Sequence, residues 1–274
     1  MALKFDNIGR WSEIKLEIIE KYALAYSKIL SSRKNPSFHH VYIDAFAGSG
    51  THISKATGEA IRGSPLRALD IFPPFKEYYF IDTDGDKVLE LIKITSERPE
   101  VHILEGDCNI KLLTEVFPKV KREDYKRGLC LLDPYGLDLD WEVISTAGKL
   151  GSIDMILNFP VMDINRNVLW INPHKVEISG IERMNAFWGD DSWKIISYRQ
   201  QTDLFGEIRF LKESNNVVSQ AFKEHLLKDA GFKHVSQPLP MRNSKGAIIY
   251  YLYFASQLQI AKDIIEDIFN KYRV

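Results

Sequence analysis

An α/β fold on a doubly wound, mostly parallel seven-stranded sheet is what this sequence predicts, and three observations carry it. From about residue 41, short apolar runs alternate with stretches of helical period, the rhythm of parallel βαβ units. Four of those runs lead in order to an aspartate: Asp44, Asp82, Asp107 and Asp133. The first run passes directly into Ala45-Phe46-Ala47-Gly48-Ser49-Gly50. Such a small, glycine-bearing turn belongs at the carboxyl edge of an open sheet, where the missing Cβ atoms let a ligand lie against the main chain.

The elements follow in order. Ile14, Ile18, Tyr22, Ala25 and Ile29 recur at three- and four-residue steps, which predicts an amphipathic helix over Ser12 to Leu30 with Ser12 as its cap. The first strand covers about 41–45. Residues 51–63 show no period and read as a long loop. Ser64 is then placed to cap a helix with Pro65 at its first position and Leu66, Ala68 and Leu69 on its inner side. Strands are expected at 77–81, 101–104, 128–132 and 154–158, with helices at about 86–96, 109–117 and 140–149 between them. Residues 161–200, with Trp170, Trp188 and Trp193, break the rhythm and read as a helical insertion after the fifth strand. A helix at about 207–229 stops at Gly231, and strands at 232–237 and 247–255 flank a turn at Asn243-Ser244-Lys245-Gly246. A helix over about 258–271 closes the chain. The whole, 1–274, reads as a single domain.

Composition excludes some classes. Charged residues make up 27% but the net charge is −1, so nucleic-acid or membrane binding would need a local basic patch. Lys119-Val120-Lys121-Arg122 with Lys126-Arg127 is such a cluster, and Arg62 and Arg67 flank the long loop. No apolar stretch has membrane length, and the first residues lack the layout of a signal peptide. The two cysteines, Cys108 and Cys130, suit a reducing compartment, so a cytoplasmic location is expected. The seven histidines show no metal spacing, and no nucleophile elbow occurs.

The run D-x-F-A-G-S-G is neither G-x-G-x-x-G nor a P-loop. It resembles the first motif of class I S-adenosylmethionine (SAM) methyltransferases, whose fold is Rossmann-like. That resemblance makes Asp44, Ala45, Phe46, Gly48, Ser49 and Gly50 the wall for the methionine end, and the length of the loop at 51–63 makes it a candidate flap over that end. Asp82, with Thr83, would accept the ribose hydroxyls, in charge-assisted bonds of about 1.5–3 kcal/mol each. Asp107 and the Cys108 backbone amide would meet the adenine edge, with Ile81 and Ile110 sandwiching the base. Taken singly, each acid is equally a turn or helix cap. The ordered set is the signal.

Asp133-Pro134-Tyr135-Gly136 resembles the D/N-P-P-Y/F signature of methyltransferases acting on exocyclic amines of nucleobases, and more closely the D-P-F/Y-G run of tRNA guanine dimethyltransferases. An exocyclic amine is conjugated and weakly nucleophilic. The Asp133 carboxylate and the Pro134 carbonyl can accept its hydrogens, Tyr135 can stack on the base, and Asn158 at the neighbouring strand end can serve as a second acceptor. Tyr135 stands where cytosine C5 chemistry would need a cysteine.

These motifs, joined by Gly63-Ser64-Pro65-Leu66-Arg67-Ala68-Leu69, Phe187-Trp188-Gly189 and Tyr250-Tyr251-Leu252-Tyr253-Phe254-Ala255, make nearly the whole chain resemble a three-Cys-motif partner protein. That resemblance implies the class I methyltransferase-like fold and a partner with a three-cysteine motif like that of radical-SAM proteins. Three functions stay open: methylation of an exocyclic amine in RNA or DNA, methylation of a small-molecule or protein amine, and a non-catalytic SAM-binding module serving the partner.

Overall fold

A computed structural model describes residues 5–34, 37–202 and 208–273. The elements in chain order are β1 (Asp6–Ile8), α1 (Arg10–Ser32), β2 (His39–Asp44), β3 (Thr51–Ser54), β4 (Ala60–Arg62), α2 (Ser64–Leu69), β5 (Glu77–Asp82), α3 (Gly85–Ile94), β6 (Val101–Glu105), α4 (Cys108–Lys111), β7 (Lys126–Leu132), α5 (Trp141–Leu150) and β8 (Ile153–Phe159). Then come α6 (Val161–Asn167), α7 (Ile178–Trp188), α8 (Trp193–Ser197), β9 (Tyr198–Thr202), β10 (Ile208–Lys212), α9 (Asn215–Lys228), β11 (His234–Val235), β12 (Leu239–Arg242), β13 (Ile248–Ser256) and α10 (Gln259–Asn270).

The main sheet runs β6-β5-β2-β7-β8-β13-β11. β12 also pairs with β13, on the edge that β8 leaves free, so β11 and β12 form one broken outer strand. Seven strand positions result, as the sequence predicts. Five strands are parallel, and β13 runs antiparallel to both neighbours. From β2 the chain winds outward through β5 and β6, then returns to β7 and winds the other way. The order reverses between β2 and β7, and this switch point opens a crevice at the carboxyl ends. The fold is of the Rossmann-like, class I methyltransferase type.

Both faces of the sheet are covered, which is why its strands read as unbroken apolar runs. Alternate residues of each strand enter opposite cores. Ile43, Ile81 and Leu132 pack with α4, α5, α7 and α9, while Tyr42, Phe80 and Leu131 pack with α1, α2 and α10. No helix among the described residues is long and apolar enough to cross a membrane.

Several expectations are corrected. α1 starts at Arg10 and is capped by Gly9, so Ser12 lies inside its first turn. Gly63 likewise takes the cap position of α2, and Ser64 is the first helical residue. Residues 51–63 are a hairpin rather than an irregular loop: β3 pairs with β4, and β1 joins β3 in parallel to make a three-stranded sheet. The helix expected from 207 begins at Asn215; β10 precedes it, pairing with β9 after the helical part of the insertion, and residue 207 lies outside the described residues. His40 is buried beside Ser27. Of the three tryptophans marked in the insertion, Trp188 and Trp193 are core residues, as favoured from the sequence, and Trp170 is partly exposed.

Helix α5 packs by close backbone contact. A Cβ on Gly148 would lie 2.0 Å from the Ala230 carbonyl oxygen, which belongs to main chain and cannot rotate away. Gly148→Ala is therefore expected to destabilise the protein by about 1–3 kcal/mol, read as a lower midpoint in thermal or urea unfolding.

Candidate active site

The glycine turn is stitched to both strands that flank β2. Ala45 N–H donates to the Leu131 carbonyl of β7 at 3.1 Å, and Ala47 N–H to the Ile81 carbonyl of β5 at 2.9 Å. Gly48, at φ +64°, donates its N–H to Asp82 Oδ2 at 2.7 Å, and a Cβ there would meet nothing within 4 Å. The turn thus holds a left-handed residue against open space. Asp82 Oδ1 accepts the Asp84 N–H at 2.9 Å, so the carboxylate braces the turn and its own loop together.

Asp44 ends β2 with no exposed surface. Its Oδ1 accepts the Phe46 N–H at 3.3 Å, and its Oδ2 makes no hydrogen bond of ordinary geometry, although the Ser64 side chain lies near enough to favour the ionised carboxylate. Burial pushes its pKa up to about 7.

Two cavities open on this edge, and Phe46 and Tyr135 line both. The larger, about 540 Å³, is walled by Ala45, Asp82, Thr83, Asp107 and Cys108 on the strand side. Asp107 caps α4 by accepting the Asn109 N–H at 2.7 Å. The Cys108 thiol is buried and pushed up to about 12 by that burial, which leaves it a packing group. Leu137, Asp138 and Arg183 close the far side, with an Arg183–Asp138 ion pair at 2.9 Å.

The smaller cavity, about 390 Å³, is lined by Gly48, Asp133, Pro134 and Asn158 together with Lys15 and His52. Parallel pairing sets Leu132 against Leu157, so Asp133 and Asn158 emerge side by side. Asn158 Nδ2 donates to Asp133 Oδ1 at 2.8 Å, and Lys15 Nζ from α1 pairs with Asp133 Oδ2. Lys15 and Asn158 are each only 8% exposed. With its amide nitrogen committed, Asn158 keeps Oδ1 buried and unpartnered. Tyr135, by contrast, is 66% exposed and offers its ring to the opening.

The three-stranded sheet walls this cavity. Asp6 of β1 forms an ion pair with Lys87 of α3 at 2.8 Å and accepts from the Tyr135 hydroxyl at 3.4 Å. His52 of β3 faces the interior, and burial lowers its pKa.

Of the residues marked from sequence, Asp133, Pro134, Tyr135 and Asn158 come together, as do Asp82, Thr83, Asp107 and Cys108. Asp44, Ser49 and Gly50 stand behind the cavity walls; Ser49 is buried and donates its hydroxyl to the Thr51 carbonyl at 3.1 Å. Ile81 is fully buried and Ile110 is exposed, and neither lines the larger cavity. The basic run 119–127 lies at the start of β7, roughly 20 Å along the strand from Asp133. Arg62 pairs with Asp70 and Arg67 with Glu20. Lys15, His52, Asp6 and Lys87 were not marked. For Lys15 a signal existed: a lysine on the same helical stripe as Ile18, Ile19 and Tyr22.

No family model matches the chain, and no curated protein matches it. Solved structures do resemble it. Protein LPL1258 from Legionella pneumophila is 11% identical with a TM-score of 0.50, over 96% of this chain and 92% of that one. A putative S-adenosylmethionine-dependent methyltransferase from Listeria monocytogenes is 12% identical with a TM-score of 0.39, over 86% and 99%. Trm1 from Pyrococcus horikoshii, solved with S-adenosyl-L-methionine, is 11% identical with a TM-score of 0.42, over 90% of this chain and 57% of that one. At these identities the likeness is one of fold.

Asp44 makes the site pH-sensitive. Its folded pKa, about 7, lies above the ordinary carboxylate value, so the folded state holds a proton that the unfolded chain releases. Stability from this group is present below about pH 4 and is lost as pH rises toward about 7. Asp44→Asn is expected to flatten that fall in thermal melts of the ligand-free protein between pH 4 and 8. A slope equal to wild type's would contradict the assignment.

Proposed function

We propose that this chain is a SAM-dependent methyltransferase acting on an exocyclic amine of a nucleobase in RNA or DNA. The observation that carries the reading is the juxtaposition at the switch point. A glycine turn braced by Asp82 stands one strand from Asp133-Pro134-Tyr135, and the two cavities share Phe46 and Tyr135. When bound, SAM supplies an electrophilic methyl group on a cationic sulfur.

The residues fit that ligand. Asp82 has two N–H donors on a group with about four acceptor positions, so room remains for ribose hydroxyls. Asp107 has one oxygen engaged in the α4 cap. On the acceptor side, Asn158 Oδ1 and the Pro134 carbonyl receive the amine hydrogens and turn the nitrogen lone pair toward the methyl. Asp133 holds the Asn158 amide in that orientation. Tyr135 stacks on the base, which a duplex substrate would have to flip out. Holding the partners in line is worth up to ~7–11 kcal/mol of the barrier.

A small-molecule or protein amine is the second reading. It is favoured by the remote position of the basic run and by the carboxylate partners of Lys15, Lys87 and Arg183 at the site. The resemblance to three-Cys-motif partner proteins adds a protein partner to either reading, and the three-stranded sheet then serves as the flap over the cavity.

Methyl transfer from labelled SAM to total RNA and genomic DNA tests the proposal. Transfer to nucleic acid is expected, and Asn158→Ala should lower it on the order of 100-fold. The same variant should bind S-adenosylhomocysteine within about threefold of wild type by calorimetry, since the lost carbonyl serves the acceptor. Undiminished transfer would remove Asn158 from the mechanism, and transfer confined to small amines would favour the second reading.

A further inference from the structure

At the pole of the sheet opposite the crevice, a separate cavity of about 370 Å³ opens where β7 and β8 begin and β13 ends. That volume lies in the range of small-molecule sites. The cavity shares no lining residue with the two at the candidate active site. Much of its wall is apolar: Ile29 and Leu30 from α1, Phe38 ahead of β2, and Leu258 and Ile260 at the start of α10. Leu258 and Ile260 are more than half exposed, so the apolar surface here is open to a ligand.

Three arginines, Arg33, Arg122 and Arg127, line the same cavity. Among the described residues none of the three forms an ion pair. Elsewhere on the surface, Arg62, Arg67, Arg98 and Arg183 each pair with a carboxylate. The one acid lining the cavity is Asp154, and its two oxygens accept from the Tyr22 and Ser256 hydroxyls. Three positive charges against one negative leave a surplus of two.

Arg127 is held in place with part of its guanidinium unused. Its Nη1 donates to the Lys126 carbonyl at 2.6 Å and to the Arg122 carbonyl at 3.3 Å, and the group lies 4.8 Å from the centre of the Phe38 ring. Nε and Nη2 have no partner among the described residues. These two nitrogens form the edge that takes a carboxylate or phosphate through parallel bonds. Arg122 Nη1 stands 3.6 Å from where a Cβ on Gly151 would be, on the turn that leads into β8. The charged or ionisable groups that act on Arg127 are Arg122, Tyr26 and Asp154, and all three line this cavity. Burial, and then repulsion by Arg122, lower the Arg127 pKa, and an anion seated between the two guanidiniums would relieve that repulsion.

We propose that this cavity binds a small amphipathic oxyanion, a carboxylate or phosphate monoester on an apolar body. The head sits on Arg127 and Arg122, and the body lies against Phe38, Leu258 and Ile260. The site stands independently of the methyltransferase reading.

Calorimetry on the full chain, with octanoate and octyl phosphate below their micelle-forming concentrations, tests this. Both are expected to bind saturably at one site, and the tighter of the two identifies the head group. Octanol, which lacks the charge, and inorganic phosphate, which lacks the body, should each bind at least about tenfold more weakly. Arg127→Gln should lower the affinity for both acids by about tenfold, the loss of one charge-assisted pair. Arg122→Gln, at an exposed position, should act in the same direction and decides the matter if Arg127→Gln fails to fold. Amide shifts on adding octanoate should cluster at Gly151, Ser152 and Leu258 in NMR spectra. The proposal is overturned if neither acid saturates at millimolar concentration, if octanol binds as tightly as octanoate, if inorganic phosphate matches octyl phosphate, or if the folded arginine variants bind as wild type does.

Discussion

The half-buried ion pair between Lys15 and Asp133 is the interaction on which the edge of this molecule depends. It joins a helix that covers one face of the sheet to the end of a central strand. Lys15 also lies 5.3 Å from the centre of the Tyr250 ring, and the Tyr250 hydroxyl donates to the Trp11 carbonyl at 3.1 Å. One cation thereby connects α1, β7 and β13, and β8 follows through Asn158. Removing Asp133 would leave the ammonium of Lys15, only 8% exposed, without its partner. The pair also decides which way the Asn158 amide faces. A carboxylate oxygen opposite Nδ2 fixes the amide's orientation and leaves Oδ1 buried without a partner in the cavity wall.

Two buried aspartates show how the same burial leads to different ends. Asp154, near the amino end of β8, is raised to about 6, and it accepts from the Tyr22 hydroxyl at 2.8 Å and the Ser256 hydroxyl at 2.6 Å. Its hydrogen-bonding needs are met inside the fold, and it binds α1 and β13 to the sheet. Asp44, at the carboxyl end of β2, has one oxygen left over. The sheet keeps a satisfied acid at one end and an unsatisfied acid at the end where its strands open on the crevice.

Much of the frame was legible because burial on both faces makes a parallel strand an apolar run. Val41 to Ile43, Tyr78 to Ile81 and Leu129 to Leu132 can hardly be read otherwise. The three-stranded sheet was not legible. Strands of three residues such as Asp6–Ile8 and Ala60–Arg62 carry no period, and the pairing of β1 joins residues far apart in sequence. β9 was missed because Arg199, Gln200, Gln201 and Thr202 are all exposed and polar. The helix caps went to Gly9 and Gly63, since extended backbone there leaves no need for the serine that follows. At the site, the acids were legible because strand ends announce them. Lys15 and His52 arrive from elements whose positions depend on tertiary packing, so their residue types alone could not reveal them.

The small sheet is not hung from the body by its hairpin alone. β1 passes into α1 through Gly9, and the Trp11 ring lies so close that a Cβ on Gly9 would meet it at 2.4 Å. There is no slack in that joint. Whatever displaces β1 must turn the first coil of α1, which carries Trp11 and leads directly to Lys15. The outer wall of the smaller cavity and the charged group at its base therefore share a single mechanical linkage, and a tug at one is transmitted to the other.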